Sequence, residues 1–200
     1  PVPADAIGMR ASMEGWTAEL GVSEGTVYLH PASPPDLAYF DELFAAVGIG
    51  RALLDGGFVL HASSILAGGR AFLFAGLSGT GKSTIARLLG PGRRIADDQS
   101  MLLPSGDSWW CCSTFLLEHE GALPGRIFLI EQAARSELES LPLQRALPMV
   151  MRHLVLWQGD AKAHALVLNN LSRFLEKVPC YRLAVGLGDI SLKQLFAEVP

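Results

Sequence analysis

The chain is short of charge: 18% of its residues are charged, against 50% hydrophobic. A chain so apolar can bury a full core and is not a disordered segment. It has no excess of positive charge either. Sixteen Lys and Arg stand against 20 Asp and Glu, a net charge of −4. Nonspecific nucleic-acid binding is thereby set aside, and no interleaving of aromatic and basic residues argues for single-strand binding. No apolar run reaches the roughly 18 residues of a membrane-crossing helix. No charged-then-apolar segment of the signal type opens the sequence. Cysteine is scarce: Cys111, Cys112 and Cys180 have no metal-ligand spacing and no C-x-x-C. Free thiols in a reducing, cytoplasmic compartment are the expectation. The five histidines, at positions 30, 61, 119, 153 and 164, form no zinc pattern.

What the sequence does have is one glycine-rich stretch, Gly76-Leu77-Ser78-Gly79-Thr80-Gly81-Lys82-Ser83, followed by Thr84. It fits G-x-x-x-x-G-K-[ST], the phosphate-binding P-loop. Its flanks suit the motif. Ala71 to Ala75 is an apolar run of strand length, and Ile85 to Leu89 reads as the first turns of a helix. Glycines let successive backbone N–H groups point into one anion-sized hollow. The helix N-terminus adds its unpaired donors. Gly76, Ser78, Gly79, Thr80, Gly81, Lys82, Ser83 and Thr84 are therefore the expected nucleotide-binding set. Lys82 would reach the β- and γ-phosphates, and the Ser83 hydroxyl would ligate Mg²⁺.

Along the chain, Trp16–Leu20 and Thr26–His30 read as a strand pair within a small N-terminal β layer. Asp36 is placed to cap a helix running to about Leu54 and stopped by Gly56-Gly57. Phe58–Leu66 and Arg70–Phe74 flank Gly68-Gly69 as a hairpin leading straight into the P-loop. Arg93–Ala96 runs into Asp97-Asp98. Strands are expected over Met101–Pro104 and Trp109–Phe115, and over Arg126–Glu131. Ser136 with Glu139 has the form of a capping box, which predicts a helix interrupted by Pro142 and Pro148, its spacing resuming through Trp157. A further helix over Ala161–Lys177, a strand over Cys180–Val185 and a last short helix capped by Asp189 or Ser191 complete the reading. Residues 1–57 are expected to form a β layer with a packing helix, and 58–200 a nucleotide-binding core.

A histidine strand, a P-loop and a double aspartate occur in that order: His61, Gly76 to Ser83, and Ala96-Asp97-Asp98. From Phe58 to Ser100 the chain resembles the HPr kinase/phosphorylase family, whose fold is shared with phosphoenolpyruvate carboxykinases. The ending Val178-Pro179-Cys180-Tyr181-Arg182-Leu183 is similar to that of shorter relatives, some of them peptide-serine kinases of modified-peptide pathways. The resemblance implies an α/β P-loop fold with a mixed sheet and an antiparallel hairpin before the loop. It implies ATP (or GTP) and Mg²⁺, with a serine of a peptide or small protein as acceptor. Asp98 would be the base that takes the hydroxyl proton. His61 would steer that base or sit beside the phosphates, and Lys82 would stabilise the transferring group. Asp97 would help hold Mg²⁺. Two adjacent carboxylates in an extended chain point to opposite faces.

The longer enzymes carry a further metal-site glutamate and a later arginine in motifs that are not legible here. Glu120 stands in for the glutamate, with Glu118 as its rival. Arg126, Arg152 and Arg173 are unranked candidates for the arginine, and Glu131 ends its strand like a Walker B acid. The family forms oligomers, so a homo-oligomer falls within what the resemblance implies. The alternatives are a small-molecule kinase or carboxykinase-like enzyme, and a nucleotide-binding regulator without turnover.

Overall fold

The ten residues from Phe58 to Ala67 alternate between two apolar faces, and strand β4, which they form, is the member on which the others assemble. The computed structural model describes residues 9–13, 16–20, 25–29, 46–50, 52–82, 84–85, 94–114, 121–156 and 161–186. The expected Asp36 cap, the ends of the helix after the glycine loop, and the last short helix lie outside them.

Three N-terminal strands, β1 (Met9–Met13), β2 (Trp16–Leu20) and β3 (Gly25–Leu29), pair antiparallel in sequence order. The second and third are the pair expected from the sequence, and β1 extends the layer. Residues 46–50 and 52–54 are helical. Gly56, at φ 77°, ends that helix, its N–H bonded to Leu53 O and that of Gly57 to Ala52 O. A glycine in the left-handed region is the usual helix stop.

The second sheet adds β5 (Arg70–Ala75), β6 (Arg94–Ala96), β7 (Gln99–Ser105), β8 (Ser108–Ser113), β9 (Pro124–Ala133), β10 (Glu137–Leu141), β11 (Leu154–Val155) and β12 (Cys180–Gly186). Its main order is β10-β12-β9-β5-β4-β7-β8, with β6 and β11 also paired to β4. Among the described strands only β5 with β9 and β9 with β12 run parallel. The fold is α/β with a mixed, mostly antiparallel sheet.

The β4–β5 hairpin turns at Gly68 and Gly69, both at positive φ, as the Gly-Gly pair suggests. Along β4, Phe58, Leu60 and Ala62 face one layer and Ile65 the other. Helices α1 (Leu143–Met151) and α2 (Ala161–Leu175) cover the first face through Ala146, Val150, Leu171 and Phe174. Phe58, Trp109 and Phe174 meet edge to face with ring centroids 5.4–5.5 Å apart, fastening α2 to the sheet. On the opposite face Ile85, just past the glycine loop, packs with Phe74, Phe128 and Ile130.

Two sequence expectations are corrected. Ser136 and Glu139 do not open a helix, because Glu137–Leu141 is strand β10, paired along its length with β12. The Ser136 hydroxyl accepts the Gly186 N–H, and Glu139 reaches across the ladder to Arg182 and to Arg145. Both capping partners are thus drawn away by tertiary contacts, which override a local signal. The helix starts instead at Leu143, with Pro148 inside it. Nor does helical spacing continue to Trp157. The helix ends at Met151, and Leu154 and Val155 pair with Leu60 and Val59 of β4. Val59 and Leu60 are fully buried, so their backbone groups require partners, and β11 supplies them.

Candidate functional site

Register places the site. The β4–β5 ladder ends at Ala62 with Ala75, so the next step would set His61 against Gly76. On its other edge β4 pairs His61 with Gln99, the residue after the double aspartate. One histidine therefore stands between the start of the glycine loop and the Asp97-Asp98 turn. Its Nε2 lies 3.0 Å from Asp98 Oδ1. Both groups remain open to solvent, as reacting groups must.

Asp97 turns elsewhere. Its carboxylate pairs with Arg94 and its carbonyl accepts the Ser63 hydroxyl. The two adjacent carboxylates take different partners, Arg94 and His61, from the bend that joins β6 to β7 rather than from extended chain. Among the described residues no three His, Cys, Asp or Glu side chains cluster tightly enough to hold a metal by themselves. Ser83 and Glu120, the other expected Mg²⁺ ligands, lie outside the described residues, as does Glu118.

The glycine loop follows β5 at the sheet's centre. Gly79 and Gly81 adopt φ of 80° and 92°, and a Cβ on either would meet nothing within 4 Å. Positive φ is what only glycine adopts without strain, and the open space beside both leaves the loop's hollow unfilled. Gly76 is different in kind: a Cβ there would lie 2.7 Å from Thr80 Oγ1 and 2.9 Å from Ile130 O. The Thr80 hydroxyl donates to Leu77 O, Gln132 Nε2 donates to Gly79 O from the end of β9, and Ile85 N–H donates to Gly81 O. Lys82 is buried, its Nζ donating to the carbonyls of Gly76 and Leu77 at 3.0 and 3.2 Å. Ser78 and Thr84 are exposed. A buried ammonium inside an open glycine loop is a donor set that suits a polyphosphate. For a divalent ion the described residues offer isolated carboxylates, which fits a Mg²⁺ carried mainly by phosphates and water.

The remaining candidates separate by position. Arg126 stacks over Phe72, 5.3 Å from the ring centroid, near the end of β5 remote from the glycine loop. Arg173 is exposed on α2. Arg152 caps α1, next to His153, whose carbonyl accepts the His61 N–H at 2.7 Å. Glu131, at the loop end of β9, is bound to Arg182, which also holds Glu139. It is tied into the sheet rather than free like a metal-ligating acid.

His153 and Gln132 are site neighbours that sequence reasoning missed. Burial, reinforced by the charges of His61, Lys82 and Arg152, holds the His153 imidazole below its ordinary range. No spacing pattern marks either residue, since both reach the loop only through strand pairing.

The model of the family described as SynChlorMet cassette protein ScmC matches residues 42–191, a span that takes in every strand of the larger sheet. The chain belongs to the ScmC family. No curated protein matches it. In this ScmC-family chain the glycine loop, His61, the aspartate pair and the α1–β11 turn all lie inside the matched span. Among the described residues no helix is long and apolar enough to cross a membrane.

Proposed function

We propose that this chain is an ATP- and Mg²⁺-dependent kinase of HPr kinase-like fold that transfers the γ-phosphoryl group to a serine hydroxyl of a peptide or small protein. The observation that carries the reading is the His61–Asp98 pair at the edge of the glycine loop. Nucleotide binding alone has no use for a carboxylate oriented by an imidazole. A transfer enzyme does, because a serine hydroxyl is a weak nucleophile at neutral pH.

In this reading the loop amides and Lys82 hold the phosphates. Asp98 accepts the serine proton as the serine oxygen bonds to the γ-phosphorus and the bond to the leaving ADP oxygen breaks. His61 donates to Asp98 and fixes its carboxylate. Lys82 stabilises charge on the transferring group, which is the largest contribution a protein makes to this chemistry. Mg²⁺, when bound with the nucleotide, would neutralise charge on the β- and γ-oxygens; Ser83 and Glu120 would hold it, and Asp97 would join them on leaving Arg94. GTP remains an alternative donor, since nothing described reads the base. A protein described as belonging to a cassette suits a dedicated acceptor made alongside it.

The test is incubation with γ-labelled ATP and candidate serine peptides or a lysate, comparing wild type with Asp98→Asn. Labelling of a serine by wild type, lost in the variant, supports the reading. Equal labelling by both removes Asp98 as the base, and tight ATP binding without transfer to any acceptor favours a regulator.

A further inference from the structure

Strand β5 leaves β4 after Ala75, and the position it vacates is taken by the turn between α1 and β11. The His61 N–H, which would have continued the ladder toward the glycine loop, donates to His153 O at 2.7 Å. Leu154 and Val155 then pair with Leu60 and Val59. The turn thus begins where the glycine loop departs, and it carries His153 to the loop's mouth.

The His153 ring is half-buried. The charged groups around it come from three elements: His61 on β4, Lys82 from the glycine loop and Arg152 at the end of α1. The neighbouring acid, Asp98, is already paired with His61. Burial and those positive neighbours keep the ring neutral at pH 7. A neutral imidazole ringed by positive groups favours an anion beside it. A phosphate chain would reverse the local field and supply a charged acceptor.

We propose that His153 is a phosphate-contacting residue of the nucleotide site, donating a hydrogen bond to the phosphate chain from a ring that becomes protonated on binding. This rests on the nucleotide-binding half of the kinase reading. The sign follows from linkage. Nucleotide raises the proton affinity of His153, so binding takes up protons and tightens as pH falls from the bound toward the free titration range.

The experiment is calorimetric titration with AMP-PNP and Mg²⁺ at pH 7, in two buffers of different ionisation enthalpy, for wild type, H153Q and K82A. Wild type is expected to take up a fraction of a proton and to bind more tightly at pH 6 than at pH 8, on the order of threefold to tenfold. H153Q should lose both the uptake and the pH dependence. Equal proton uptake by wild type and H153Q overturns the proposal while leaving the glycine loop as the nucleotide site. Absence of binding by wild type overturns both. Binding undiminished in K82A overturns the P-loop reading and, with it, the role of His153. If H153Q does not fold, ring-proton NMR of wild type decides, with H153N assigning the resonance. That resonance should titrate at higher pH with AMP-PNP bound, and an unchanged titration overturns the proposal.

Discussion

His61 Nε2 and Asp98 Oδ1 lie 3.0 Å apart although they belong to different elements, and the β4–β7 register holds them there. If His61 acts only by orienting Asp98, the two residues form a unit, and their substitutions will not add. His61→Asn should lower kcat less than Asp98→Asn, which removes the base and should cost on the order of 10²–10⁴-fold. The double variant should be no slower than Asp98→Asn alone. KM for ATP should hold in all three. Additive losses in a double-mutant cycle would mean that His61 makes a contact of its own with the phosphates.

The thiols give a second prediction. Burial pushes Cys111 and Cys180 up to about 12 and raises Cys112 as well. Folded protein at pH 8 should leave Cys111 and Cys180 unmodified by iodoacetamide, and urea should expose all three cysteines. In the unfolded chain these thiols release protons near the ordinary value of 9.0, whereas Cys111 and Cys180 of the folded chain hold theirs to about 12. Their contribution to stability is therefore complete below pH 9 and is lost as pH rises toward 12. Urea midpoints measured at pH 8 and pH 10 should fall in that order, and mass spectrometry reads the alkylation.

Phe174 is fully buried on α2 and meets both Phe58 and Trp109 edge to face. Phe174→Ala should destabilise the fold by about 3–5 kcal/mol, because the sheet on one side cannot collapse into the space. Phe174→Leu keeps most of the volume and should cost less. Denaturant unfolding of the two variants gives the comparison.

These sites differ in how far the sequence disclosed them. The β4–β5 hairpin was legible because Gly68-Gly69 sits between two β-prone runs, and the turn needs no distant help. His61, Asp97 and Asp98 were legible through resemblance and order in the chain. Strand alternation does not explain their different partners, because the two acids lie in the bend between β6 and β7. Strand β10 was not legible, because Ser136 and Glu139 imitate a capping box. What decides the segment is Arg182, 43 residues from Glu139. His153 was hidden for a related reason. Its place depends on β5 leaving the sheet at Gly76, and a ladder vacancy exists only once the strands are assembled.

The glycines of the loop are needed for two different reasons, and two alanine variants should separate them. Gly81 has φ of 92° and open space where a Cβ would stand. Gly81→Ala therefore strains only the local backbone, by about 1–2 kcal/mol. The cost falls on the conformation that presents the loop amides, so nucleotide affinity should drop while the sheet remains intact. Gly76 has no positive φ, but its Cβ would lie 2.9 Å from Ile130 O, a backbone atom of β9 that cannot swing aside. Gly76→Ala must push the start of the loop away from the β5–β9 pairing, on which the packing of Phe74, Phe128 and Ile130 depends. It should lower the melting temperature more than Gly81→Ala does, even without ligand. Thermal unfolding of both variants with and without AMP-PNP tests this: the nucleotide-induced rise should be lost in Gly81→Ala, whose unliganded melting temperature should fall by only a few degrees. Equal unliganded melting temperatures for the two variants would refute the distinction.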